Sequence, residues 1–164
     1  MNKDEIYNSV YKMLTDVTPL KCDCGQLCNK NCCKGDNATG MLLFPEEKTK
    51  LNTLKTDNGI IAVCNGTCNR NERPLSCMVF PFFPLINDKG KIEAVIDYRG
   101  YGICPMVKNQ DFIKFNRKFI KTVEKAGKLL YTDTDIREFM KSTENDILEY
   151  QSYINKFIQD DDND

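Results

Sequence analysis

Nine cysteines and no histidine constrain this chain of 164 residues more than any other feature. Without histidine there is no Ser-His-Asp or Cys-His catalytic pair, and no His-ligated zinc or haem. The sulfur chemistry must be that of thiols, thiolates or disulfides alone. The cysteines are Cys22, Cys24, Cys28, Cys32, Cys33, Cys64, Cys68, Cys77 and Cys104. They fall in three stretches rich in Gly, Asn and Asp, separated by short apolar segments.

The length predicts one domain over residues 1–164, taking about 150 residues as the usual size. Such a chain buries roughly 70% of its unfolded surface, so it needs no metal or disulfide merely to fold. With 23 basic and 24 acidic residues, the net charge of −1 argues against a nucleic-acid partner, which calls for a basic excess. No apolar run reaches the roughly 18 residues of a membrane-spanning helix. The first residues, Met1 to Tyr7, mix charged and apolar side chains instead of forming a secretory apolar core. A cytoplasmic, reducing environment without membrane contact is therefore expected. The acidic residues 160–164 read as a solvated end.

Along the chain, Ile6, Val10, Tyr11 and Leu14 recur at helical spacing over residues 4–15. Residues 20–40 have no period and read as a cysteine loop. A short strand is predicted over residues 41–44. Pro45, Glu46 and Glu47 then suit a helix start, with the helix running to about Leu54. Asn58-Gly59 is a turn, and residues 60–63 a buried strand. Residues 64–77 form a second cysteine loop. Segments 78–86 and 91–98 are predicted to pair as a hairpin around Asn87–Gly90, with Pro81 and Pro84 confining the first to an edge. Residues 100–105 make a third loop. A helix is expected over residues 108–129, from Phe112, Phe115, Phe119, Ile120 and Val123. A second is expected over about 134–159, with a capping box at Thr143 and Asp146 as an interruption.

Three readings of the cysteines compete. Structural disulfides need an oxidising compartment, and an odd count leaves one thiol over. Cysteines used as small apolar residues belong on the periodic stripes of helices, and these are not there. The third reading, a metal or iron–sulfur site, fits best, because a Gly/Asn loop can turn several thiolates toward one centre. Zinc takes four thiolates at about 2.3 Å, so eight cysteines suffice for two sites. An iron–sulfur cubane takes four and leaves the others for further roles. Either centre leaves a charge of about −2. Lys21, Lys30 and Lys34 beside the first cluster, and Arg70 and Arg73 beside the second, are placed to offset it. The spacings Cys24-x3-Cys28-x3-Cys32 match no standard ferredoxin run. All nine cysteines are candidate ligands, and zinc and iron, the latter in a 4Fe-4S cluster, are the candidate cofactors.

Several segments together carry a family resemblance: Cys22-Asp23-Cys24-Gly25 with Cys28 and Cys32-Cys33, Leu43-Phe44-Pro45-Glu46-Glu47, Cys64 with Cys68, Arg73-Pro74-Leu75-Ser76-Cys77, Phe80-Pro81 and Cys104-Pro105. Over residues 20–106 this pattern resembles the YkgJ or CxxCxxCC family of zinc- or iron-chelating proteins. The family opens on Cys-x2-Cys-Gly-x-Cys-Cys. Here the intervals are longer, Asn29 stands at the expected Gly, and Met78 replaces an Arg. The ligand register within residues 22–33 stays open. The resemblance implies a cysteine-held metal supported by Arg73. Some members are described as flagellin lysine N-methylases, an activity associated with a cysteine-bound iron–sulfur cluster. No G-x-G-x-x-G signature for a nucleotide-like cofactor is present.

The expected fold class is α+β. A small antiparallel hairpin sheet with irregular cysteine-rich metal-binding loops occupies residues 20–106. One N-terminal helix and two C-terminal helices, the latter over residues 108–159, flank it. The expected function is thiolate metal binding. One alternative is an iron–sulfur-dependent protein lysine methyltransferase-like enzyme, with Glu46, Glu47, Tyr98 and Arg99 as polar residues near the centre. The other is a metal-stapled module that presents Phe80–Pro84 to a protein partner. No catalytic residue is assigned.

Overall fold

The computed structural model describes residues 1–161 except Asp23, residues 34–39, Asn65, Thr67 and Cys68, with Cys28, Cys33, Arg70 and residues 159–161 described by their backbone alone. The chain is a mixture of helix and antiparallel sheet, as expected of an α+β fold.

Helix α1, Lys3–Leu14, opens on a capping box. The Asn2 side chain accepts the Glu5 amide at 2.9 Å, and the Glu5 carboxylate accepts the Asn2 amide at 2.9 Å. Its apolar stripe of Ile6, Tyr7, Val10 and Leu14 is fully buried. The first cysteine stretch is not wholly irregular: it holds the short helix α2, Gly25–Cys28, and a 3-10 turn over Asn31–Cys33.

The helix expected over residues 45–54 is absent. Residues 45–46 form a turn with Glu46 at φ 60°, and the chain continues into strand β2. The reason is the turn ahead, not the local start signal. Asp57 and Asn58 close a two-residue hairpin that pairs β2, Asn52–Thr56, with β3, Gly59–Val63, in the register Thr56↔Gly59. Gly59, at φ 129°, supplies a conformation that L side chains rarely adopt. Strand β1, Gly40–Leu42, pairs on the other side of β3, with Gly40 opposite Val63. Ala62 is buried in this sheet, whereas Ile60 faces solvent, so β3 is half-buried where full burial was expected.

Helix α3, Leu75–Val79, takes up the first residues of the expected hairpin strand. The hairpin itself pairs β4, Phe82–Ile86, with β5, Ile92–Ile96. Pro84 is tolerated because β4 has only one partner strand, so its missing N–H costs no second ladder. Residues Phe82 to Leu85 are all buried. The Phe82–Ile86 run reads as continuous apolar because α5 and α6 both pack on β4. Phe80–Pro84 thus packs into this chain's own core, buried throughout except at half-buried Phe80.

Short helix α4, Pro105–Lys108, precedes α5, Arg117–Leu130. The predicted start at residue 108 is early by nine positions. Asn116 is the true N-cap: its side chain accepts the Lys118 amide at 3.0 Å and donates to the Thr18 carbonyl at 3.2 Å. Phe112 lies outside the helix and is 91% exposed. Helix α6, Thr134–Asp161, is unbroken. Thr143 sits within it, buried, on the stripe of Ile136, Met140 and Ile147, so it packs instead of capping a new helix.

The core joins α1, α5 and α6 to the β4–β5 hairpin. The rings of Phe44 and Phe83 stack at 6.0 Å, and Phe82 meets Phe115 edge-on at 4.9 Å. No helix among the described residues is long and apolar enough to cross a membrane.

Candidate metal centre

The cysteine-bearing segments come from different parts of the sheet and helix framework. Cys24 precedes α2, Cys28 closes it, and Cys32 and Cys33 are in the 3-10 turn. Cys64 follows β3, and Cys77 is the third residue of α3. Cys104 is the N-cap of α4: its carbonyl accepts the Val107 and Lys108 amides at 3.0 and 3.1 Å. Cys28 and Cys77 thus lie on short helices, where loops were expected. Cys22 and Cys32 are exposed, Cys24, Cys64 and Cys77 half-buried, and Cys104 buried.

Three of these segments converge. A β-carbon on Gly100 would stand 2.5 Å from the Phe80 ring, so the turn leading to Cys104 lies directly on the residue that ends α3. One cavity of about 430 Å³ is lined by Cys32, by Ser76 next to Cys77, and by Ile103 next to Cys104. Gly40, Phe80 and Arg99 also line it. Cys24 packs against the apolar cluster that contains Leu75, Met78 and Cys104. The Gly40↔Val63 pairing puts the start of β1 opposite the residue before Cys64. Among the described residues, no group of three or more His, Cys, Asp or Glu side chains is gathered so as to hold a metal ion. Cys68 and the side chains of Cys28 and Cys33 are outside that set.

The polar residues expected near a centre have separate roles. Glu46 is exposed and pairs with Lys3 at 2.5 Å. Lys3 also pairs with Asp135 at the start of α6. Hydrogen bonds to Asp135 and then Glu46 push its ammonium well above the usual lysine range. Arg99 makes a two-point contact with buried Asp97, at 2.8 and 2.6 Å, and lies over the Phe83 ring at 5.9 Å. Tyr98 accepts a hydrogen bond from Gln110. Arg73 is half-buried, two residues before Leu75. Lys21 and Lys30 are exposed, and Lys34 lies outside the described residues.

Glu47 is different. It is 7% exposed and carries three hydrogen bonds. Oε1 accepts the Leu75 amide at 2.7 Å and the Tyr11 hydroxyl, and Oε2 accepts the Phe44 amide at 2.9 Å. Burial pushes its carboxyl up, against the opposing pull of those donors. Burial likewise raises the Tyr11 phenol, helped by the Glu47 charge, the bond to Glu47 and the charge of Cys77. The sequence placed Glu47 at a helix start and Tyr11 on an apolar stripe. An acidic residue two positions after a Phe-Pro pair, facing a Pro-Leu helix start far along the chain, leaves no local signal.

Cysteine thiolates are the ligand type that a thiophilic metal takes. Among the described residues, Cys32 borders the cavity, Cys77 and Cys104 each follow a residue that borders it, and Cys24 packs against the apolar cluster. Comparison with known proteins gives no further identification: no family model, no curated relative and no solved structure matches the chain.

Proposed function

We propose that this chain is a cysteine-thiolate metal-binding protein that holds zinc or an iron–sulfur cluster, in keeping with its resemblance to the YkgJ family. The observation that carries the reading is nine cysteines in a chain without histidine, with Cys32, the residue before Cys77 and the residue before Cys104 bordering one cavity although they come from distant parts of the sequence. A metal held by thiolates of these segments would cross-link them. The protein's own part is to present the thiolates and to offset their charge, with Arg73 beside the Cys77 helix. Such thiolates persist in a reducing compartment, which is the proposed location.

A second reading, the lysine methyltransferase-like enzyme, is favoured by the same cavity, whose volume of about 430 Å³ falls within the range of small-molecule sites. Binding of S-adenosylmethionine to the metal-loaded chain, measured by calorimetry, supports it; absence of binding removes it.

The first reading is tested by single Cys→Ser variants at Cys24, Cys32, Cys77 and Cys104, each assayed for bound metal. Each loss of a ligand is expected to lower metal affinity by at least 10-fold, on the scale seen even for residues that merely support a ligand. Four variants that all retain the wild-type metal content and affinity would refute it.

A further inference from the structure

We infer that Glu47 is a positioning residue of the metal centre, acting through the backbone of the helix that carries Cys77. This rests on the thiolate-centre reading above. Helix α3 is five residues long, too short to hold its own direction by internal bonds. Two tethers from outside hold it. The Glu47 carboxylate takes the Leu75 amide at 2.7 Å, and the Ser76 hydroxyl donates to the Leu42 carbonyl of β1. These are the two residues immediately before Cys77. Once their backbone is fixed, so is the direction in which the Cys77 side chain leaves the helix.

The same carboxylate binds the Phe44 amide at 2.9 Å and the Tyr11 hydroxyl. Three separate pieces therefore meet on one group: α1 through Tyr11, the turn at residues 44–47, and α3. A carboxylate is an expensive way to fill a buried position, because it must shed water and find donors. An apolar side chain fills the space without that cost. What the carboxylate adds is direction, since its two oxygens demand donors at fixed places.

The test titrates the reduced, metal-free full chain with Co²⁺ under anaerobic conditions. It compares the wild type with Glu47→Ala, Glu47→Gln, Tyr11→Phe and Cys77→Ser. The sulfur-to-cobalt charge-transfer band counts the thiolates bound, which a purely structural role for Glu47 does not change at saturation. Cys77→Ser is expected to lower the saturating band by about one thiolate of a four-thiolate set. Glu47→Ala is expected to lower it by up to the same amount, with affinity weaker on the order of 10-fold. Glu47→Gln keeps one carbonyl acceptor and should fall between. Tyr11→Phe preserves the ring and removes one bond to the carboxylate, giving the same direction of change at smaller size. It and Glu47→Gln decide the matter if Glu47→Ala does not fold. Folded Glu47 and Tyr11 variants with the full band and unchanged affinity overturn the positioning role and leave the metal centre standing. A band that Cys77→Ser leaves intact also overturns the role. A reduced wild-type chain that takes up no cobalt, and that forms no cluster when given ferrous iron and sulfide, removes the centre and this inference together.

Discussion

Tyr7 lies within α1 with only 4% of its surface exposed, and its hydroxyl donates to the Pro45 carbonyl at 2.5 Å. Burial, followed by the Glu47 charge, pushes this phenol well above its ordinary value of 10.0. In the unfolded chain the phenol ionises near that ordinary value. The stabilisation is therefore whole below pH 10.0 and is lost as pH rises from there toward the folded-state value. Urea denaturation of the reduced chain on either side of that pH should show the wild type losing stability, Tyr7 contributing up to about 1.4 kcal/mol per pH unit. Tyr7→Phe should show a correspondingly shallower loss; an equal slope in the two proteins contradicts the assignment. At this scale the sequence was only partly legible. The burial of Tyr7, Val10 and Leu14 followed from spacing. The hydroxyls of Tyr7 and Tyr11 could not be placed that way, because their acceptors, Pro45 and Glu47, come from a turn that the local signals read as a helix.

At the scale of elements, the close fit of α5 on the hairpin is the feature most open to test. A β-carbon on Gly127 would stand 2.4 Å from Pro84 and 2.8 Å from Ile92. In an isolated helix, replacing this glycine with alanine is favourable by about 1 kcal/mol. Here the added methyl forces α5 away from β4 and β5, an overpacking that costs about 1–3 kcal/mol. Gly127→Ala should thus lower the denaturation midpoint with the urea dependence unchanged, for a net loss of up to about 2 kcal/mol. A rise in midpoint would show that the interface is looser than the contact implies. Helices α1 and α6 and the β4–β5 hairpin were legible because their periodic apolar faces are long enough to dominate. The segment over residues 45–56 was not. Pro45 and two acidic residues are a fair local helix start, but Asp57-Asn58-Gly59 pairs β2 with β3, and the pairing overrides the propensity. The start of α5 was misread for a related reason. Phe112 and Phe115 keep helical spacing with Phe119, yet Asn116 anchors to Thr18 and breaks the run.

Across the whole molecule, α1, α5, α6 and the hairpin share one apolar core with Leu75, Met78 and Val79 of α3 and Met106 and Val107 of α4. Cysteines stand at the end of β3, within α3 and at the start of α4. The clustering of the cysteines was plain in the sequence, because loops rich in Gly and Asn carry nearly all of them. That the turn before Cys104 packs on the end of the Cys77 helix was not, because the approach of Gly100 to Phe80 follows from no sequence spacing. The central claim is that these thiolates hold a metal. The most direct test is metal and acid-labile sulfide per chain, with an absorption spectrum, on protein purified without oxygen. The account predicts stoichiometric metal: iron with sulfide and visible colour for a cluster, or colourless zinc. A chain free of both metals, its cysteines titrating as disulfides, would contradict it.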